Sequence, residues 1–173
     1  MNILIEYTDV IDKSKLFLEY VLNKSSHFAC QYYLSLGGSF EKKTRYPENY
    51  YNKLLPDLYN EIKNGDCYFG AHAPNGPSKY ESIGVYYLTD KVKRFILEQN
   101  GKYPILLEND DETPEDFYFF KNSVIWTIIY HEDEIMHMFN CNEDDLAFLE
   151  KNNIEYWVED FYLDIKLPKK MKE

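Results

Sequence analysis

The sequence predicts an α+β fold: a mainly antiparallel mixed sheet with about four helices packed against it. Three observations lead there. Some segments alternate apolar and polar residues with period two, which is the strand signature. Others place apolar residues at helical spacing. The order is mixed, with strands and helices first and a strand-rich last third. The sequence carries neither an internal repeat nor a low-complexity linker, so residues 1–167 are expected to form one domain, with a frayed basic tail at 168–173.

Ile3, Leu4 and Ile5 begin a short first strand over residues 3–7. Asp12 is placed to cap a helix over 13–23, with Leu16, Phe17, Tyr20 and Val21 on its inner side. Residues 28–36 alternate: Phe28, Cys30, Tyr32, Leu34 and Leu36 face one way, and Gly37-Gly38 ends the strand. The stretch 46–65 has helical spacing at Tyr51, Leu54, Leu55, Leu58 and Ile62. Pro56 breaks or kinks it, and Gly65 is expected to terminate it. Short strands are expected at 66–73, 83–88 and 103–107, with a loop at 74–82. Between the second and third of these strands, Thr89 or Asp90 caps a helix to Gln99 with Val92, Phe95 and Ile96 inward.

In the last third, residues 124–130 are apolar on both faces, as a central strand requires. A charged turn leads to a strand over 135–141. Asn142 caps a helix to about Lys151, with Leu146 and Leu149 buried. The acids Glu143, Asp144 and Asp145 suit the positive end of its dipole. Alternating stretches at 154–158 and 161–167 close the sheet.

Composition narrows the function classes. The 173 residues carry a net charge of −11, which opposes binding to a nucleic-acid backbone. The charge is lopsided. Residues 104–160 hold sixteen acids and two bases, Lys121 and Lys151, whereas the rest of the chain is slightly basic. No apolar run approaches a membrane span, and the first ten residues lack the pattern of a secretory leader. Three widely spaced cysteines do not suggest a disulfide framework and suit a cytoplasmic protein. Seventeen tyrosines and eleven phenylalanines demand a folded chain with aromatic side chains at the core margin or an interface.

Chemical motifs are weak. The stretch YHEDEIMHMF at 130–139 has glutamate beside its first histidine, but Ile135 stands where a zinc-protease helix needs the second. On an unbroken strand His131, His137 and Cys141 would share a face with Asp133, and such a set can bind zinc. The favoured reading of the same residues is an ordinary charged hairpin turn between two apolar strands, which breaks that shared face. Cys30 falls on the apolar side of an alternating strand and reads as core, and Cys67 with His72 has no orienting third group for nucleophilic catalysis. The glycine-containing stretches lack a phosphate-binding ending, and the acids at 110–116 lack the spacing of a calcium loop. No cofactor is expected.

The patterns DFYFFKN (116–122) and EYWVEDFYLD (155–164) interleave aromatics with acids. Core packing accounts for half of each. The other half can form an acidic–aromatic face, because a partner's Arg and Lys pair with acids and stack on rings. The residues assigned to such a surface are Asp110, Asp111, Glu112, Glu115, Asp116, Glu132, Asp133, Glu134, Tyr156 and Trp157.

The apolar strand that runs from Trp126-Thr127 into His131-Glu132 resembles a pattern in small bacterial toxin-immunity-type proteins, across about a tenth of the chain. The Gly-Pro-aromatic ending of some of those proteins is replaced here by DEIMHMF, so no functional residue carries over. The resemblance implies a cytoplasmic, acidic, non-catalytic inhibitor that occludes a basic toxin. The charge pattern leads to the same class, a module for a basic protein partner. The alternatives are a metal-dependent enzyme using His131, His137 and Cys141, and a structural or oligomerisation domain.

Overall fold

A computed structural model describes residues 1–36, 39–43, 63–70, 80–98, 116–130 and 134–160. Within them the fold is α+β. Nine strands form one sheet in the order β4-β5-β2-β6-β7-β8-β1-β9, with β3 also paired to β2. They are β1 (Asn2–Glu6), β2 (His27–Leu36), β3 (Ser39–Lys43), β4 (Lys63–Gly70), β5 (Tyr80–Tyr87), β6 (Asp116–Lys121), β7 (Val124–Tyr130), β8 (Ile135–Met138) and β9 (Trp157–Glu159). Every described pairing is antiparallel. Three helices have nine or more residues: α2 (Ser14–Lys24), α3 (Asp90–Glu98) and α4 (Glu143–Lys151). A single turn, α1 (Tyr7–Val10), and a 3-10 turn (Ile11–Lys13) lead into α2.

The β6–β7–β8 meander is the centre of the sheet. Asn122 and Ser123, with φ of 53° and 64°, form the two-residue link between β6 and β7. Positive φ at both positions matches the right-handed twist of the flanking strands. The register shifts by one residue at Trp126, because Phe119 opposes Thr127 while Phe120 opposes Ile125. This bulge lets Trp126 turn toward the helices. β1 then inserts between β8 and β9, so the chain's first strand closes against its last described one.

One apolar cluster joins Ile3 and Ile5 of β1 to Phe17, Val21 and Leu22 of α2, and reaches Phe119, Met138 and Ile154. α2 lies across β6 and beside α3. Six more buried apolar residues alternate with members of that cluster and fall on the other face: Ala29, Tyr118, Phe120, Ile125, Ile128 and Phe139. The centre of the sheet is therefore covered on both sides. Residues 125–129 are all buried, as expected of a central strand.

Several local expectations need correction. Asp12 does not cap α2; it lies in the 3-10 turn, and Lys13 flanks the helix without a side-chain cap. The inner face is Ser14, Phe17, Leu18, Val21 and Leu22, so Leu16 is exposed. Gly65 does not end a helix: it belongs to β4, beside a register shift between Lys63 and Asp66. Lys63 and Asn64 of the expected helix likewise begin β4, while residues 46–62, the strand at 103–107, the closing strand at 161–167 and the tail lie outside the described residues. The aromatics of β6 leave no exposed face, since Phe117, Tyr118, Phe119 and Phe120 are all buried. Cys141 falls past the end of β8, after the chain bends at Asn140 with φ of 52°. Thr89 does cap α3, accepting from the Val92 N–H at 3.3 Å.

Candidate functional site

Chemistry-bearing residues gather at the two ends of the β6–β7 hairpin. At one end the registers align Asp116 with Tyr130, Tyr130 with Ile135, and Ile135 with Glu6. Asp116 and Tyr130 therefore stand at the same end of neighbouring strands. In sequence, residues 110–115 precede Asp116 and residues 131–133 follow Tyr130; these are the two acidic runs singled out from the sequence. Asp110, Asp111, Glu112, Glu115, Glu132 and Asp133 themselves lie outside the described residues, as does the side chain of Asp116. Glu134 and Glu6 are exposed, and neither makes an ion pair among the described residues. The Glu134 carbonyl accepts from the Tyr7 N–H at 2.9 Å, which ties the turn to the start of α1.

The other end holds the most connected polar group of the described residues, the Asp145 carboxylate, which is fully buried. The sequence makes it the third residue of α4. From there it accepts the Asn142 N–H at 3.0 Å, while the Asn142 side chain accepts the Asp145 N–H at 3.0 Å. This reciprocal pair is a capping box. Three further donors reach the same carboxylate: Tyr20 Oη at 2.7 Å, Lys24 Nζ at 3.0 Å and Lys121 Nζ at 3.2 Å. Burial pushes the carboxyl pKa up, but the Asn142 N–H and the three side-chain donors outweigh it and hold the group below its ordinary value. Burial raises the Tyr20 hydroxyl to about 12, helped by Asp145 and opposed by Lys24.

Aromatic rings frame this cluster. Tyr20 stacks on Phe148 at 3.7 Å, and the Lys24 ammonium lies 4.7 Å from the Tyr20 ring centre. Lys121 lies 4.4 Å above the Trp126 ring. The cluster thus binds α2, β6, β7 and α4 together. Its charges answer one another inside the molecule.

The histidine and cysteine set does not assemble as a metal centre among the described residues. No group of three or more His, Cys, Asp or Glu side chains there could hold an ion, and His131 lies outside them. His137 and Cys141 do not share a face. The His137 ring stacks on Phe139 and meets Tyr130 edge-on, on the side of the sheet away from the helices. Cys141 belongs to the helix-side core. Burial, and then the Asp145 carboxylate, lift its thiol to about 12, far from the thiolate a metal would need.

His137 has a different partner. Its Nδ1–H donates to Glu159 Oε1 at 2.6 Å, joining β8 to β9 across β1. Trp157, at the other end of β9, is 47% exposed. Tyr156 is half-buried against the helix-side core, and its hydroxyl donates to Glu150 at 3.4 Å. Tyr156 and Trp157 therefore do not act as one exposed pair.

Sequence reasoning missed Glu159, Tyr20, Lys24 and Lys121. The spacing Asn142-x-x-Asp145 was a readable capping signal for the last helix. Nothing in one sequence shows that two lysines about a hundred residues apart meet on its third residue.

No helix among the described residues is long and apolar enough to cross a membrane. Comparison with protein-family models, with curated proteins and with solved structures found no match.

Proposed function

We propose that this chain is a non-catalytic protein-binding module whose acidic sheet end receives a basic protein partner. An immunity-type inhibitor occluding a cationic toxin is the form of that reading the sequence resemblance favours. One observation supports it: Asp116 pairs with Tyr130 at one end of adjacent strands, and the acidic runs 110–115 and 131–133 adjoin these two residues in sequence. In this reading two separate stretches of sequence contribute to one neighbourhood. The exposed carboxylates of Glu6 and Glu134 stand at that end as well. Concentrated charge of one sign steers an oppositely charged protein and raises its association rate. Inward pairing of Asp145 with Lys24 and Lys121 supports the same reading, because those cations are spent away from the acidic end.

The test is capture of basic proteins from a lysate of the source cell on the immobilised chain, followed by association kinetics of the captured protein over a salt series. Association should slow steeply as salt rises. It should slow again when Glu132, Asp133 and Glu134 become Gln, Asn and Gln. Rates that ignore both changes reject the proposal.

A further inference from the structure

β9 is three residues long and ends the described strand order, yet its two ends are held in different ways. Upstream, Ile154 is buried in the core and its N–H donates to the Leu149 carbonyl at 2.9 Å. Downstream, Glu159 accepts from His137 Nδ1 at 2.6 Å. His137 belongs to β8, one strand beyond β1, so this bond passes over the strand that β9 pairs with. The histidine is itself fixed, stacked 6.0 Å from Phe139 and edge-on 5.6 Å from Tyr130.

Between the two anchors, burial contributes little. Trp157 is 47% and Val158 64% exposed. Short edge segments with few buried contacts open locally at little cost unless something else pins them. A hydrogen bond to an ionised carboxylate is shorter and stronger than one between neutral groups, so the His137–Glu159 contact can pin this strand.

We infer that the Glu159–His137 bond is a positioning contact that presets Trp157 as an aromatic anchor for the basic partner, an inference that rests on the contact-surface reading above. The register places Trp157 opposite Leu4, two residues along β1 from Glu6 at the acidic end. A cationic side chain arriving at that end therefore meets an indole on the flank of the carboxylates. Tryptophan held in place before contact loses little freedom on binding, which is how a single ring becomes an energetic anchor. Glu159 touches no partner in this scheme; it acts through Trp157.

The experiment uses Glu159→Ala and Glu159→Gln in the full chain, read by hydrogen exchange and by time-resolved anisotropy of Trp157 in a Trp126→Phe background. Glu159→Ala should speed amide exchange across residues 157–159 by about tenfold and loosen the indole, with β7 and β8 unchanged. Glu159→Gln keeps an acceptor oxygen and should restore most of both signals. A local effect of that kind, reversed by glutamine, supports the positioning role. Unchanged exchange and anisotropy in Glu159→Ala overturn it. A uniform loss of protection across β1, β7 and β8 also overturns it, since the bond would then be a general stabiliser. Separately, Trp157→Ala should weaken binding of the captured basic protein at least tenfold. Undiminished binding removes the anchor role, whereas the salt series judges the acidic end on its own.

Discussion

The two ends of the β6–β7 hairpin use the same residue types to opposite purposes. At the Lys121 end a carboxylate is drawn out of water and surrounded by three side-chain donors from two other elements. At the Asp116 end the described carboxylates of Glu6 and Glu134 stay in solvent without ion pairs among the described residues. A buried charge must be compensated within the fold, so it serves architecture. A solvated one costs the fold little and remains available to another molecule. Acid content alone therefore does not locate a binding surface. The decisive fact is which acids the fold has already neutralised.

The sharpest way to break this contrast is to remove the buried carboxylate. Asp145→Ala strands the Lys24 and Lys121 ammonium groups and removes the side-chain acceptor of the Asn142 N–H from the α4 capping box. Loss of one partner from a buried ion pair destabilises by roughly 3–5 kcal/mol. Urea denaturation should show a loss in that range. A loss under about 1 kcal/mol would mean that Asp145 is less essential than its contacts imply.

Acid titration sharpens the same point. The folded pKa of Asp145 is held below the ordinary 3.8, so the unfolded chain takes up the proton first as pH falls. Its stabilising contribution is complete above about pH 3.8 and disappears below it, toward the folded value. His27 behaves alike in sign for a different reason. Burial alone lowers its pKa below 6.5, so the unfolded state binds that proton first as well. Its contribution is full above pH 6.5 and falls away beneath it. Stability against pH should decline in two stages, with His27→Gln reducing the upper and Asp145→Asn the lower. A single decline unaffected by either substitution would contradict the burial of both groups.

A smaller effect is expected from Lys121→Met. It removes one of two lysines from Asp145 and the cation above the Trp126 ring, but leaves Lys24 and the cap in place. The stability loss should be about 1–2 kcal/mol by denaturation. Near-additive losses in the Lys24→Met, Lys121→Met double variant would show two independent contacts, not one network.

What could be read beforehand follows the range of each interaction. The central strand at 124–130 was legible because burial on both faces is written in consecutive residues. The Asn142 cap was legible because capping acts over three positions. The inner face of α2 was misjudged at Leu16, since which stripe faces inward depends on the sheet beneath and on the helical turns that precede it. The aromatics of β6 were divided between core and surface on the assumption of one wet face. The burial of Tyr118 and Phe120 on the other face has no local signal. The acidic runs were legible as charge, but the pairing of Asp116 with Tyr130 beside them was not, because it joins strands across a hairpin.

The smallest expected change in stability belongs to the acidic end, and it separates the two purposes most cleanly. Glu6 and Glu134 are exposed and bear like charges beside the acidic turn. Replacing both with glutamine removes repulsion without breaking an ion pair among the described residues. Denaturation should therefore register a change within about 0.5 kcal/mol, with any departure toward greater stability. The Glu134 backbone bond to Tyr7 survives the substitution, because it uses the carbonyl and not the side chain. A loss above about 1 kcal/mol would mean that these carboxylates are structural after all, and the difference between the two ends would collapse. Unchanged stability together with slower association of a basic protein would place the fold's energy at one end of the hairpin and its recognition at the other.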